Sequence, residues 1–381
     1  MAKVGQITTY DVVENIIDFS DILNEKKMPS TPLLNKIGIL NEPVYSTTYQ
    51  WYDEAFPILN TELAEAHTAI TSGKTTILKV NSAVGILQYS ILRVKNTLYR
   101  VDSISVDSIS GNTLNVTLLS SADESHVANE VVTIVSNSAL EGADYVDGHY
   151  NPLIERENYT QIFKDYVKIT GTQDAVRRKV RGAILAQEID NKMKRLRVML
   201  ERAAWLGIRS KPNVNDAPRL MGGIDWFITN ENGIEVAPES LINTSFEEVF
   251  KELLRLIYDV RGSVNEAWMN PVTMEYFLAL GEDAFLIDQF SEQAGRNVKV
   301  YVSQYGETAL NMSPDIAPNV IYVVDTENIK IRPLVNRQFQ FEELAKTGDS
   351  VKGQLIGEYT LEFRNPDLAG KLVIPVIPAG N

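Results

Sequence analysis

The stretch from Gly171 to Gly207 constrains this chain more than any other. It opens with Gly171-Thr172-Gln173-Asp174, where Thr172 or Asp174 is placed to accept from the free amides of a first helical turn. No proline follows until Pro212, and apolar residues recur in steps of three and four: Val176, Val180, Ala183, Ala186, Ile189, Met193, Leu196, Leu200, Ala203 and Leu206. Gly207 supplies the stop. The pattern predicts one amphipathic helix of roughly 34 residues, about 50 Å long, where compact domains use helices of roughly 8–20 residues. Such a helix is a spine across which other segments pack.

Its charge is lopsided. Between Asp174 and Gly207 stand nine basic residues (Arg177, Arg178, Lys179, Arg181, Lys192, Lys194, Arg195, Arg197 and Arg202) against four acids (Asp174, Glu188, Asp190 and Glu201). The net of +5 belongs to a chain that carries −14 overall. Two readings stand. The face is solvated and pairs with acids elsewhere in the fold, or it meets an anionic partner, the carboxylates of a neighbouring copy or packaged nucleic acid. The acidic total argues against a dedicated DNA-binding protein, yet it allows one basic surface on an acidic body.

With 381 residues the chain has room for two or three domains. It has no cysteine, which excludes disulfides, thiolate metal sites and cysteine nucleophiles. The first ten residues lack a charged-then-apolar signal pattern, and no apolar run reaches about 18 residues. The expectation is a chain made and assembled in a cytoplasm, with no membrane partner.

Residues 1–60 read as an extended arm with one short helix over Asp11–Leu23 and a strand over Ser46–Tyr52; Pro29, Pro32, Pro43 and Pro57 forbid anything longer. Residues 70–137 change character. Thr75–Val80, Ile86–Leu92, Thr97–Val106, Thr113–Leu119 and Glu130–Val135 are β-branched runs separated by tight turns, which predicts a small barrel or sandwich inserted in the chain. A strand over 159–170 runs straight into the spine. Beyond Pro212, helices are expected at Phe246–Val260 and at Val272–Leu280 behind Asn270-Pro271. Strands are expected at Val298–Val302, Val320–Val324, Ile329–Ile331, Gln338–Leu344, Gln354–Phe363 and Lys371–Ile377.

No motif offers catalysis. Ser72-Gly73-Lys74-Thr75 matches the tail of a phosphate-binding loop, but Thr68 stands where the motif needs glycine, and a strand rather than a helix follows. His67, His126 and His149 lack metal-ligand spacing, and nothing resembles a nucleophile elbow. Gly222-Gly223 reads as a turn, and Trp51, Trp205, Trp226 and Trp268 as core or interface anchors. No catalytic residue, cofactor, metal or small-molecule substrate is therefore expected.

The order of elements, with Thr31-Pro32-Leu33-Leu34, Glu141-Gly142-Ala143-Asp144, Asn158-Tyr159-Thr160-Gln161-Ile162-Phe163, Ile169-Thr170-Gly171-Thr172-Gln173, Gly348-Asp349 and Gly357-Glu358-Tyr359-Thr360-Leu361-Glu362, resembles tailed-phage major capsid (major head) proteins of the Hong Kong 97 type. The resemblance implies an α+β fold with a small all-β insertion domain. Residues 1–60 would be the N-terminal arm, 61–165 the extended loop containing the insertion at about 70–137, 166–211 the peripheral domain with the spine helix, 212–335 the axial domain, and 336–381 the return strands of the peripheral domain. It further implies a homo-oligomer of hexamers and pentamers forming an icosahedral shell, with the basic residues at an inner or inter-subunit surface touching packaged double-stranded DNA non-specifically. Portal, cement or decoration proteins and a separate scaffold would be partners, since no long acidic helical leader precedes the arm. The location would be the virion, after assembly in the host cytoplasm. A cellular encapsulin-like shell of the same fold, enclosing an enzyme cargo, is the alternative.

Overall fold

The computed structural model of the chain describes residues 31–54, 59–70, 73–107, 111–120, 125–142, 153–175, 184–212, 217–238, 246–279, 285–289, 298–346 and 348–375. They divide into two compact units: Tyr52–Arg156, and a body made of the residues up to Trp51 together with those from Glu157 onward. The body opens with α1 (Pro32–Ile37). Pro32 sits in its first turn, where a missing N–H is harmless, and Gly38 at φ +68° ends it. The short helix expected over Asp11–Leu23 lies outside the described residues. β1 (Thr48–Glu54) follows, close to the strand expected at Ser46–Tyr52.

In the unit Tyr52–Arg156 the strands are β2 (Asn60–Glu62), β3 (Thr75–Val80), β4 (Ser90–Val94), β5 (Thr97–Asp107), β6 (Gly111–Leu118) and β7 (Val131–Asn137), ordered β2-β7-β4-β5-β6-β3. The two outer strands meet. Leu63 bridges Val80, the Ala64 N–H donates to Lys79 O at 2.8 Å, and the Asn81 N–H donates to Glu62 O at 2.9 Å. The sheet thus closes into a barrel and hides its edges. Inward residues such as Leu78, Leu92, Tyr99, Leu114 and Val132 fill its core. β4 starts at Ser90 rather than at Ile86, because Gly85 (φ +82°) and Tyr89 (φ +68°) turn the chain there. The Lys95-Asn96 turn joins β4 to β5 as expected, with Lys95 at φ +51°.

The chain continues through β8 (Leu153–Tyr159), which pairs with β1, then β9 (Gln161–Thr170), α2 (Gly171–Ala175) and α3 (Ile184–Leu206). The cap of α2 is Thr170, whose Oγ1 accepts from the Gln173 N–H at 3.4 Å. Thr172 and Asp174, the expected caps, lie inside the helix because the turn begins at Gly171. α2 and the 23 residues of α3 both fall within the predicted spine; residues 176–183 lie outside the described residues. At 1.5 Å per residue α3 alone spans about 34 Å.

The remaining elements are α4 (Ile224–Asn230), β10 (Ile234–Val236), α5 (Phe246–Asp259), β11 (Glu266–Met269), α6 (Pro271–Ala279), β12 (Phe285–Gln289), β13 (Val298–Ser303), β14 (Gly306–Met312), β15 (Val320–Val323), β16 (Ile329–Pro333), β17 (Gln340–Glu343), β18 (Ser350–Phe363) and β19 (Gly370–Val373). α5 and α6 begin where the capping signals place them, and the Asn270 Oδ1 accepts from the Val272 N–H at 3.0 Å. A seven-stranded mixed sheet runs β10-β19-β15-β11-β14-β13-β12, with α5 packed on it through Phe250, Leu253 and Ile257. A second sheet runs β16-β18-β17, and β9 joins the other side of β18 over ten paired positions. α3 lies on β9 and β18, burying Leu196, Leu200, Ala204 and Trp205 against Phe163, Val167, Leu355 and Trp268.

α4 has no counterpart among the expected helices. It follows Gly222-Gly223, whose role is close approach. A Cβ on Gly223 would stand 2.6 Å from the Gly207 N and 2.7 Å from the Ala203 O, where the end of α3 touches it.

Candidate functional site

The basic residues of the spine are the sequence's own candidates. Arg177, Arg178, Lys179 and Arg181 lie outside the described residues. On α3, the inward stripe of Met193, Leu196 and Leu200 leaves Lys192 and Arg195 flanking it toward β9. Both reach Asp165, at 2.9 and 3.8 Å. Burial works against the Asp165 charge, yet the Lys192 ammonium, the Tyr166 N–H and Arg195 hold its carboxyl below the ordinary value. Lys194 pairs with Asp190 one turn back, and Arg202 donates to Asp315 at 2.6 Å. Arg197 is exposed, with no ion pair among the described residues. The structure therefore brings Lys192 and Arg195 together on one carboxylate and keeps Lys194, Arg197 and Arg202 apart.

A buried carboxyl that the charge count treated only as one of four acids sits on the same helix. Glu201, between Leu200 and Ala204 on the apolar stripe, is fully buried. It accepts from the Leu33 and Leu34 N–H groups at 3.2 and 3.3 Å, the free amides at the start of α1. Ser313 Oγ donates to it at 3.4 Å. Burial pushes the Glu201 carboxyl up to about 7; the two amides oppose this and nearby Asp315 adds to it. The apolar spacing steps from Leu200 to Ala203 and passes over position 201, so the sequence carried no signal for its burial.

A second buried cluster lies on β18. Glu358 and Glu362, four apart on a strand, share one face. Glu362 accepts from Arg332 Nε at 2.5 Å, Arg364 Nε at 2.6 Å and the Tyr49 hydroxyl at 3.1 Å. Glu358 accepts from Thr160 Oγ1 at 2.6 Å, Arg219 at 3.0 Å and Arg337 at 3.1 Å. Burial disfavours the charge on Glu362, but the two guanidiniums outweigh it and hold the carboxyl below its ordinary range. Arg332 also reaches Glu42 at 2.7 Å. Residues 31–51 are thus tied to the body by Glu201, by the Ile39–Ile331 and Val44–Leu334 bridges, and by Arg332.

The buried Asn158 locks the crossing of β8 over the α3–α4 turn. Its Nδ2 donates to Gly222 O at 3.0 Å and Leu361 O at 2.7 Å, and its Oδ1 accepts from the Gly222 N–H at 2.8 Å. Among the described residues, β9 pairs with β18 alone, so its other edge is unpaired from Gln161 to Thr170. Ile162 and Tyr166 are exposed on it, and Lys164 lies 4.8 Å from the Tyr166 ring.

The barrel's polar residues form a chain rather than a site. Lys95 pairs with Glu130 at 2.5 Å, His126 Nδ1 meets Glu130 at 3.0 Å, and His126 Nε2 lies 3.1 Å from the Tyr99 hydroxyl. In the tautomer that donates from Nδ1, the Tyr99 O–H donates to Nε2. His67, remote in sequence, stacks on His126 at 6.0 Å. No group of three or more metal-ligating side chains occurs among the described residues. Gly73 at φ +77° is the turn before β3. Among the described residues no helix is long and apolar enough to cross a membrane. Trp51, Trp205 and Trp268 are buried in the core, and Trp226 is covered by the Arg209 guanidinium at 4.3 Å.

Comparison with known proteins bears on what these surfaces serve. The sequence profile of the SU10 major capsid protein matches residues 5–374. No curated protein matches the chain. A solved chain from Mycobacterium phage Adephagia is similar over 98% of this chain and 100% of its own, at 12% identity and a TM-score of 0.51. The capsid of a native GTA particle is similar over 97% and 98%, at 10% identity and a TM-score of 0.51. A chain from Microbacterium phage Oxtober96 covers 97% and 99%, at 11% identity and a TM-score of 0.50. At such identities the likeness establishes the fold, an α+β fold of the Hong Kong 97 type.

Proposed function

The chain belongs to the SU10 major capsid protein family, and from that premise we propose how this head-shell protein of the virion builds its particle. Copies assemble as hexamers and pentamers into a closed icosahedral shell around the double-stranded DNA of a tailed bacteriophage. Assembly takes place in the host cytoplasm with a separate scaffold, a portal and cement or decoration proteins. In this reading residues 1–60 are the N-terminal arm, 61–165 the extended loop with its β insertion domain, 166–211 with 336–381 the peripheral domain, and 212–335 the axial domain. The basic residues from Arg177 to Arg202 face packaged DNA or a neighbouring copy, where contact is non-specific and weakened by salt, although Lys192, Lys194, Arg195 and Arg202 also pair with Asp165, Asp190 and Asp315 of their own chain.

The observation that carries the reading is the family match across residues 5–374. The ten-residue edge of β9, unpaired among the described residues, supports it, since repeated copies in a closed shell complete such edges. Electron micrographs of particles purified with the other head proteins should show closed shells built of this chain. Sedimentation as a single molecule under those same conditions would overturn the assembly. The basic face has its own test. Reversing Arg178, Arg181 and Arg195 to Glu should sharply lower the yield of filled particles while the barrel stays folded; a normal yield would show that the face is only solvated.

A further inference from the structure

The arm meets the spine at a buried carboxyl group, and we propose that Glu201 is a proton-dependent latch, holding residues 31–44 against the body in acid and loosening them toward neutral pH. Glu201 has no exposed surface. α1 covers it with the amides of Leu33 and Leu34, and the 313–315 segment meets it from another side with the Ser313 hydroxyl and Asp315. The Asp315 Oδ1 accepts from Arg202, the neighbour of Glu201 on its own helix. The Asp315 Oδ2 is buried with no hydrogen-bond partner among the described residues. Lys36, the cation of α1, is turned to Glu266 at 2.8 Å. No cation pairs with Glu201 among the described residues, so its charge, when present, is held by two amides and a hydroxyl beside a second acid.

Ionised, the group keeps both amide bonds but is desolvated next to Asp315. Protonated, it gives up acceptor capacity and removes the repulsion. Burial outweighs the amides, so with the arm docked the group titrates about pH 7; with the arm released and the carboxyl in water it returns toward its ordinary 4.5. Docking therefore takes up a proton. It is strongest below about pH 4.5, weakens by up to about tenfold per pH unit as the pH rises toward about 7, and is level above. Glu42 and Glu362 do not mimic this, because Arg332 holds both below the ordinary value and their contributions change only in stronger acid. The latch is a property of the single chain and does not rest on the shell.

The test is hydrogen exchange of the full-length chain, expressed as protection factors for residues 31–38 between pH 5 and pH 8. Wild-type protection should fall by at least about tenfold between pH 5 and 7 and then level off. Glu201→Gln, uncharged throughout with the same shape, should vary by less than about twofold over that range. Asp315→Asn should move the wild-type fall to lower pH, and it decides the matter should the glutamine variant not fold. A flat or rising wild-type profile, the same fall in Glu201→Gln, or an unmoved fall in Asp315→Asn overturns the latch.

Discussion

In the unit Tyr52–Arg156 the sheet returns on itself through the Leu63–Val80 bridge; in the body, β9 runs ten residues beside β18 with no second neighbour among the described residues. The cores differ in the same sense. The barrel is filled by aliphatic side chains and one tyrosine, with its polar chain anchored on Tyr99 and Glu130. The body buries Glu201, Glu358, Glu362 and Arg332 among its strands and its spine. Closure lets a sheet of six short strands specify itself by alternation alone. A 14-residue strand such as β18, flanked by β9, β16 and β17, could slip by two residues and still bury apolar side chains. Glu358 and Glu362 oppose that slip, since a shifted register would leave buried charges unpaired. The lesson is that burial holds the barrel together, while placed charge fixes the register of the body.

Two substitutions break or sharpen this contrast. Glu362→Ala strands Arg332, Arg364 and the Tyr49 hydroxyl without their shared acceptor, and should destabilise the body by about 3–5 kcal/mol. Leu92→Ala empties a fully buried site in the barrel and should cost about 3 kcal/mol there. Thermal unfolding followed by calorimetry should show each change in a different transition. If both variants shifted one and the same transition, the two units would be a single cooperative structure and the contrast would fail.

Much of the barrel was legible because its signals are local. β-branched runs end at turn residues, and the strand bounds lie within two residues of those expected except at the start of β4, displaced by positive φ at Gly85 and Tyr89 that the runs do not announce. The short β2 was missed, since three residues carry no period. In the body, α5 and α6 announced themselves by caps and spacing, whereas α4 hid behind a glycine pair whose purpose is contact with Gly207, 16 residues earlier. The charged cluster was illegible for the same reason. Thr160, Arg219, Arg332, Arg337, Glu358 and Glu362 become partners only when distant strands align, and an acid among fifty looks like surface until its neighbours are known. Thr31-Pro32-Leu33-Leu34, Asn158 and Gly357 to Glu362, which carried the resemblance, prove to be the Glu201-capped turn, the buried asparagine and the charged strand.

The smallest effect is expected where charge meets water. Glu42 is 77% exposed although its partner Arg332 is buried, so Glu42→Gln leaves Arg332 still paired with Glu362 and should loosen residues 38–44 only slightly. The sign is opposite to that of Glu201. The Arg332 guanidinium holds the Glu42 carboxyl below its ordinary 4.5, so the stabilisation is present above that value and is lost as pH falls through the lowered one. Hydrogen exchange of residues 38–44 should therefore differ between wild type and Glu42→Gln at pH 6. The two should converge in strong acid, and in about 1 M salt, where screening reaches within about 3 Å. A difference that survived that salt would mean this pair is shielded like the buried Glu362 cluster. The register of the arm, and not only that of β18, would then be fixed by charge.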